Sequence, residues 1–293
     1  MPLEIMPMRA EYFPELTRIF FEAFKDIQER HRFPVDLPNM EFARGFMEMF
    51  VGKRDVYGVA AVLDGKIVGS NFANIGDTVC GIGPITVDTS KQGRGIGRAL
   101  MQHVVEWSLK NHGPMVRLVQ EGFNMQSLSL YTSVGFTAVE SLVMMEVQPA
   151  EHDDPTVRPL VLEDLGLCDN ICQRIMKVSR RNELAFMIEY GVRTGFVPYG
   201  KFLSGTLLAY IIPGCYGHGV GESSEDLLAT VVHAARQVPP RGHQLLMPIR
   251  NGELFRQALK LGMRCLKPLT LMALGPYERP ATVGVAWTPS LEY

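Results

Sequence analysis

The chain has 293 residues, with 29 Lys and Arg against 31 Asp and Glu, a net charge of −2 and a pI near 6.4. That balance excludes the global basic field of a nucleic-acid-binding surface, and no apolar run approaches the ~20 residues that span a bilayer. The five cysteines, Cys80, Cys168, Cys172, Cys215 and Cys265, are odd in number and scattered, which points to a reducing compartment, the cytoplasm. Met1-Pro-Leu-Glu opens the chain without the basic and then apolar stretches of a signal peptide. Cys168 and Cys172 stand four apart on an expected helix, yet no nearby His or Cys completes a tetrahedral set. They read as buried thiols, and no metal is expected.

In chain order, residues 11–24 and 40–51 are expected to be helices, the first carrying Phe13, Leu16, Ile19, Phe20 and Phe24 at helical spacing. Between them, residues 30–38 form a loop broken by Pro34 and Pro38. Val56 to Leu63 and Lys66 to Ile75 read as a hairpin turning at Asp64-Gly65. A short strand, Ile85-Thr86-Val87, then leads into Gln92-Gly93-Arg94-Gly95-Ile96-Gly97-Arg98 and an amphipathic helix with Ile96, Leu100, Val104, Val105 and Leu109 on one stripe. A glycine turn at a helix start leaves backbone N–H groups without intrahelical partners. Glycine lets that backbone approach a ligand closely, and the helix dipole favours an anion there. Arg94 and Arg98 stand where they can add charge-assisted contacts to phosphate. The spacing fits neither the dinucleotide fingerprint nor the P-loop, since no G-x-G-x-x-G is present and Arg98-Ala99 follows the last glycine. A strand at 116–120 follows, and then Asn124-x-x-Ser127-x-x-Leu130-Tyr131-x-x-x-Gly135-Phe136.

The two motifs together, Gln-x-x-Gly-x-Gly and the Asn124-to-Phe136 run with a helix between them, resemble those of the GCN5-related N-acetyltransferase (GNAT) superfamily. The resemblance covers about residues 3–149. It implies an α/β (α+β) fold with a mixed, largely antiparallel twisted sheet flanked by helices. It also implies acetyl-CoA (coenzyme A) as the ligand, with Ile85, Thr86 and Val87 bonding its pantetheine arm through their backbone. Gln92, Gly93, Arg94, Gly95, Ile96, Gly97 and Arg98 would take the pyrophosphate, and Asn124 and Ser127 would face the arm. Asn124 is equally a favoured helix cap. Tyr131 is the expected general acid, close to the thioester sulfur, and it is also spaced for core packing. The base is less plain: Gly81 to Val87 carries no acid, and of Asp77, Asp88 and Glu121 the last is best placed. Glu22, Glu29, His31 and Arg32 are the residues that could meet a polar acceptor, or form a solvated face.

A polar stretch bounded by prolines, Gln148 to Pro155, reads as a linker. It divides an acyl-CoA-binding domain (1–149) from a second domain (155–293). The second opens on Val157-Arg-Pro159, echoing Ile5-Met-Pro7, and spaces Asn251 and Gly262 as Asn124 and Gly135 are spaced. It reads as a diverged tandem copy. No Gln-x-x-Gly-x-Gly precedes its helix Leu227 to Arg236, Glu225 and Asp226 stand at that helix's start, and Ala258 takes the place of Tyr131. Acids at a helix N-terminus satisfy the dipole themselves, so this copy is not expected to bind acyl-CoA in the same way. The leading expectation is transfer of an acetyl group to a primary amine of a small molecule. A non-catalytic acyl-CoA sensor or scaffold and a protein N-acetyltransferase are the competing readings. A fused second copy makes self-association unnecessary, so a monomer is expected over a dimer.

Overall fold

The computed structural model describes residues 2–214 and 216–291. They form two units, one of residues 2–138 with Met272–Pro276, the other of the remaining residues from Val139 to Leu291. Both combine helices with largely antiparallel sheet.

The first unit begins with strand β1 (Leu3–Pro7) and helix α1 (Phe13–Arg30). Pro14 starts α1 where a missing N–H costs nothing, and Leu16, Ile19 and Phe20 bury its inner face. The helix runs past the expected end at residue 24. Beyond Phe24 its support changes from apolar burial to the i,i+4 ion pairs Lys25–Glu29 and Asp26–Arg30, at 3.8 and 2.6 Å, and to the fully buried Gln28. Helix α2 (Met40–Val51) starts at Asn39, whose side chain accepts from Phe42 N–H at 2.8 Å. Strands β2 (Val56–Leu63) and β3 (Lys66–Asn74) form the expected hairpin, and Asp64 and Gly65 both take positive φ, 52° and 74°. A two-residue turn of that kind matches the twist of the flanking strands.

Short strands β4 (Cys80–Ile82) and β5 (Thr86–Val87) both pair with β3. Helix α3 (Ile96–Asn111) packs Ile96, Leu100, Met101, Val104 and Val105 into the core. Each such side chain contributes roughly 1.5–3 kcal/mol by leaving water. Leu109, expected on the same stripe, is exposed; the inner position of the last turn belongs to Ser108, which donates to Val104 O at 2.7 Å and faces Cys80 Sγ at 3.3 Å. Strand β6 (Val116–Glu121) runs parallel to β4, and helix α4 (Met125–Ser133) follows. Strand β7 (Thr137–Glu146) passes into the second unit.

The second unit holds β8 (Val157–Pro159), α5 (Leu165–Met176), α6 (Arg181–Thr194), β9 (Tyr199–Leu203), β10 (Thr206–Ile211), β11 (Gly219–Gly221), α7 (Ser224–Gln237), β12 (Gln244–Pro248) and α8 (Gly252–Lys260). Strand β13 (Arg264–Leu274) ends among the residues of the first unit, and β14 (Ala286–Thr288) closes the series. Five strands form an antiparallel sheet in the order β14-β11-β10-β9-β8, and β12 pairs antiparallel with β7. Helix α7 starts earlier than expected because Ser223 caps it, accepting from Asp226 N–H at 3.0 Å. Both units run in the order strand, two helices, hairpin, short strand, helix, strand and helix, with two short strands (β4 and β5) in the first unit and one (β11) in the second. No helix among the described residues is long and apolar enough to cross a membrane.

Candidate active site

The glycine turn at the head of α3 is built as an anion cradle. Gly93 and Gly95 have φ of 76° and 80°, a region L side chains rarely adopt, and a Cβ added to either meets nothing within 4 Å. The turn therefore faces open space, and its backbone lies bare. Ala99 N–H is the first to bond inside the helix, to Gly95 O at 3.0 Å; the N–H groups before it have no intrahelical acceptor. Gln92 folds back, its Nε2 donating to Val87 O at 3.3 Å, which ties the cradle to β5. Arg94 and Arg98 are exposed and carry no ion pair among the described residues. Arg18, the nearby alternative, is consumed by Glu15, Glu22 and Asp88. Asp88 is held below the ordinary carboxylate range, chiefly by the Ser90 hydroxyl, so it stays ionised as the cap of the turn before the cradle.

Beside the cradle lies an unpaired strand edge. As strand residues Thr86 and Val87 pair with Ser70 and Gly69 of β3, so among the described residues β5 has a single strand neighbour. A strand with one free edge accepts an extended, amide-bearing chain through main-chain hydrogen bonds. Thr86 is buried, with Oγ1 3.2 Å from Ser70 Oγ, and half-buried Ile85 precedes it. These residues and the cradle together fit a ligand that has both a pyrophosphate and an amide-bearing arm.

Asn124 caps α4, its Oδ1 accepting from Ser127 N–H at 3.0 Å. No partner engages its Nδ2 among the described residues. Tyr131 lies in the core of the unit with Leu100, Val116, Leu118 and Phe136, and is only 6% exposed. Burial pushes its phenol up to about 12, against a smaller opposing pull from the Ser127 side chain. At neutral pH the phenol holds its proton and has an O–H to donate.

Glu121 ends β6, and its Oε1 accepts from Gln28 Nε2 at 3.1 Å. Gln28 is the residue that the sequence did not reveal. Its Nε2 also donates to Asp36 Oδ2 at 2.6 Å, and its Oε1 accepts from Asp36 N–H at 3.0 Å. One buried amide therefore joins α1, the 31–37 loop and β6. Phe33 stacks on Phe123 with centroids 4.3 Å apart, and His31 lies 5.1 Å from the same ring, which holds the loop against the segment after β6. The other acceptor candidates are occupied locally: Glu22 pairs with Arg18, Glu29 with Lys25, and His31 Nδ1 bonds Ile27 O at 2.9 Å. Arg32 supplies the left-handed residue that turns the chain out of α1, with φ 59°. No single residue of Glu22–Arg32 announced Gln28; the signal lay in its position at the buried end of a helix otherwise sustained by ion pairs.

A strand with a free edge, followed by a glycine turn and a helix on a mixed sheet, makes an α/β domain with room and backbone donors for a phosphorylated, amide-bearing ligand. Residues 13–136 match the model of the acetyltransferase (GNAT) family, and this likeness and the fold support that family for the segment. An N-acetylaspartate synthetase of Xenopus tropicalis is 36% identical over 81 residues, which is 27% of this chain and 30% of the relative's length. The chain is also similar to a crystal structure of a protein of Pyrococcus horikoshii described as a candidate acetyltransferase, with a TM-score of 0.74 at 16% identity over 96% of this chain and 92% of that one. A GCN5-related N-acetyltransferase of Sphaerobacter thermophilus gives 0.60 at 14% identity over 96% and 98%. At such identities the structural likeness speaks to fold.

Proposed function

We propose that the chain is an acetyl-CoA-dependent N-acetyltransferase acting on the primary amine of a small molecule. The observation that carries this is the bare cradle of Gly93 and Gly95 beside the free edge of β5. The backbone from Gln92 to Arg98 holds the pyrophosphate, aided by Arg94 and Arg98, and Ile85, Thr86 and Val87 bond the arm. Asn124, whose Nδ2 has no partner among the described residues, offers that amide to the ligand. When bound, acetyl-CoA supplies the acetyl group, which passes to the amine nitrogen as the carbon–sulfur bond breaks.

Tyr131 is the acid of this scheme. A thiol ordinarily titrates near 8.5, so full proton transfer from a phenol at about 12 runs uphill by about 5 kcal/mol. Tyr131 therefore serves the leaving sulfur as a hydrogen-bond donor, and the proton lost by the amine completes the thiol. Glu121 takes or relays that amine proton, and Gln28 positions its carboxylate. The match to an N-acetylaspartate synthetase supports a small amino compound as the acceptor. The repeated order of elements supports a tandem origin, with 1–149 as the working copy and 155–293 as the degenerate one. One chain then carries one active site as a soluble cytoplasmic monomer.

The test is release of free thiol from acetyl-CoA in the presence of a panel of amino acids, polyamines and aminoglycosides. Amine-dependent release that disappears in Gly95→Glu is expected. Binding of acetyl-CoA with no amine-dependent release across the panel would favour the sensor reading, which the lack of an acid between Gly81 and Val87 also favours.

A further inference from the structure

The second unit has its own strand-to-helix junction, and there the strand edge is covered. Strand β11 leads through the Ser223 cap into α7, as β5 leads into α3. Strand β14 lies on the edge of β11 as an antiparallel partner, with Gly219 opposite Thr288, Val220 opposite Trp287 and Gly221 opposite Ala286. It also packs against β12 and α5. Ala286, Trp287 and Thr288 are all 1% exposed or less.

The cap residue of the following helix repeats the correspondence. Asn251 caps α8 as Asn124 caps α4, its Oδ1 accepting from Leu254 N–H at 3.2 Å. Its Nδ2, the atom left free in Asn124, donates to Val285 O at 3.3 Å. A buried polar network anchors the far side of β14. Arg180 donates to Ser290 Oγ at 3.0 Å and pairs with Glu183, which lies 3.1 Å from His218 Nδ1. At the phosphate end, α7 begins with Glu225 and Asp226, and Asp226 faces Lys201 at 3.6 Å.

We propose that Val285–Thr288 is a built-in occupant of the second unit's cleft, a strand of the chain itself seated where the first unit receives the arm of acyl-CoA. The second cleft is thus a strand-binding groove filled in cis. The chain carries one acyl-CoA site, and the second unit is a closed copy kept for its structure. This rests on the acyl-CoA reading of the first unit, since the correspondence of the two clefts defines the place being filled.

Two measurements on the full chain test it. Calorimetric titration with coenzyme A should give one equivalent bound. Two equivalents, or one equivalent that survives in a folded Gly95→Glu variant, would overturn the proposal. No binding at all would overturn the acyl-CoA reading instead, and hydrogen exchange then decides the occupant on its own. Amides of 219–221 and 286–288 should exchange slowly and be unchanged by coenzyme A, while those of 92–98 slow on its addition. Fast exchange across 286–288 in the free chain, or loss of its protection when coenzyme A is added, would overturn the built-in occupant.

Discussion

At the scale of single residues, the functional assignments rest on what each side chain is free to do. Tyr131 is buried and protonated. Tyr131→Phe should lower kcat by about 10²-fold, the usual contribution of a hydrogen-bond donor aimed at developing charge. It should cost only about 1 kcal/mol of stability and leave the affinity for coenzyme A in place. An unchanged kcat would reduce Tyr131 to a packing residue. Gln28→Leu leaves the Asp36 N–H and the Glu121 carboxylate without the amide they share, a loss of about 1–3 kcal/mol. Its kcat/KM for the amine should fall while coenzyme A affinity holds; equal loss of both would mean that Gln28 supports the fold alone. In the second unit, His218 is fully buried among Arg180, Glu183 and Tyr210, and burial lowers it from 6.5 to about 4. Its folded value lies below its unfolded one, so the unfolded chain takes up the proton first. The stability present above pH 6.5 is lost as pH falls from 6.5 towards 4, about 3 kcal/mol in all. A flat melting temperature across that window would contradict the buried neutral imidazole. Neither Gln28 nor His218 was legible in the sequence, because each matters only through groups brought from other elements.

At the scale of elements, the sequence was most legible where local chemistry decides. The 40–51 helix and the Asp64-Gly65 hairpin follow from a cap and a two-residue turn that work without tertiary help. The end of α1 was illegible because charged pairs and a buried amide, rather than an apolar stripe, carry its last turns. Strand β14 was illegible for a different reason: Ala286-Trp287-Thr288 has no alternation and becomes a strand only against β11. The two capping asparagines separate structure from binding. Each Asn→Ala change removes a cap worth about 1 kcal/mol. Asn124→Ala should in addition weaken coenzyme A binding several-fold, whereas Asn251→Ala, whose amide serves Val285, should lower stability and leave that affinity untouched. Calorimetry on both variants checks this, and equal effects on affinity would contradict the assignment of the free amide to the ligand groove.

At the scale of the whole molecule, the two units share much of their order of elements, and among the described residues only the first has, between its short strand and the helix that follows, a bare glycine turn and a free edge on that strand. Its motifs were legible at sequence level because an exposed backbone turn demands glycine at fixed positions. The most direct measurement is thermal unfolding of the wild type and of Gly95→Glu, each with and without acetyl-CoA. At a concentration 100-fold above the dissociation constant, binding adds about 2.7 kcal/mol, a rise of several degrees for a unit of this size. The substitution sets a side chain at φ 80° and a carboxylate where the phosphate should lie, so a rise in the wild type and none in the variant is expected. An equal rise in both proteins would place acetyl-CoA away from the cradle, and no rise in the wild type would contradict acyl-CoA binding altogether.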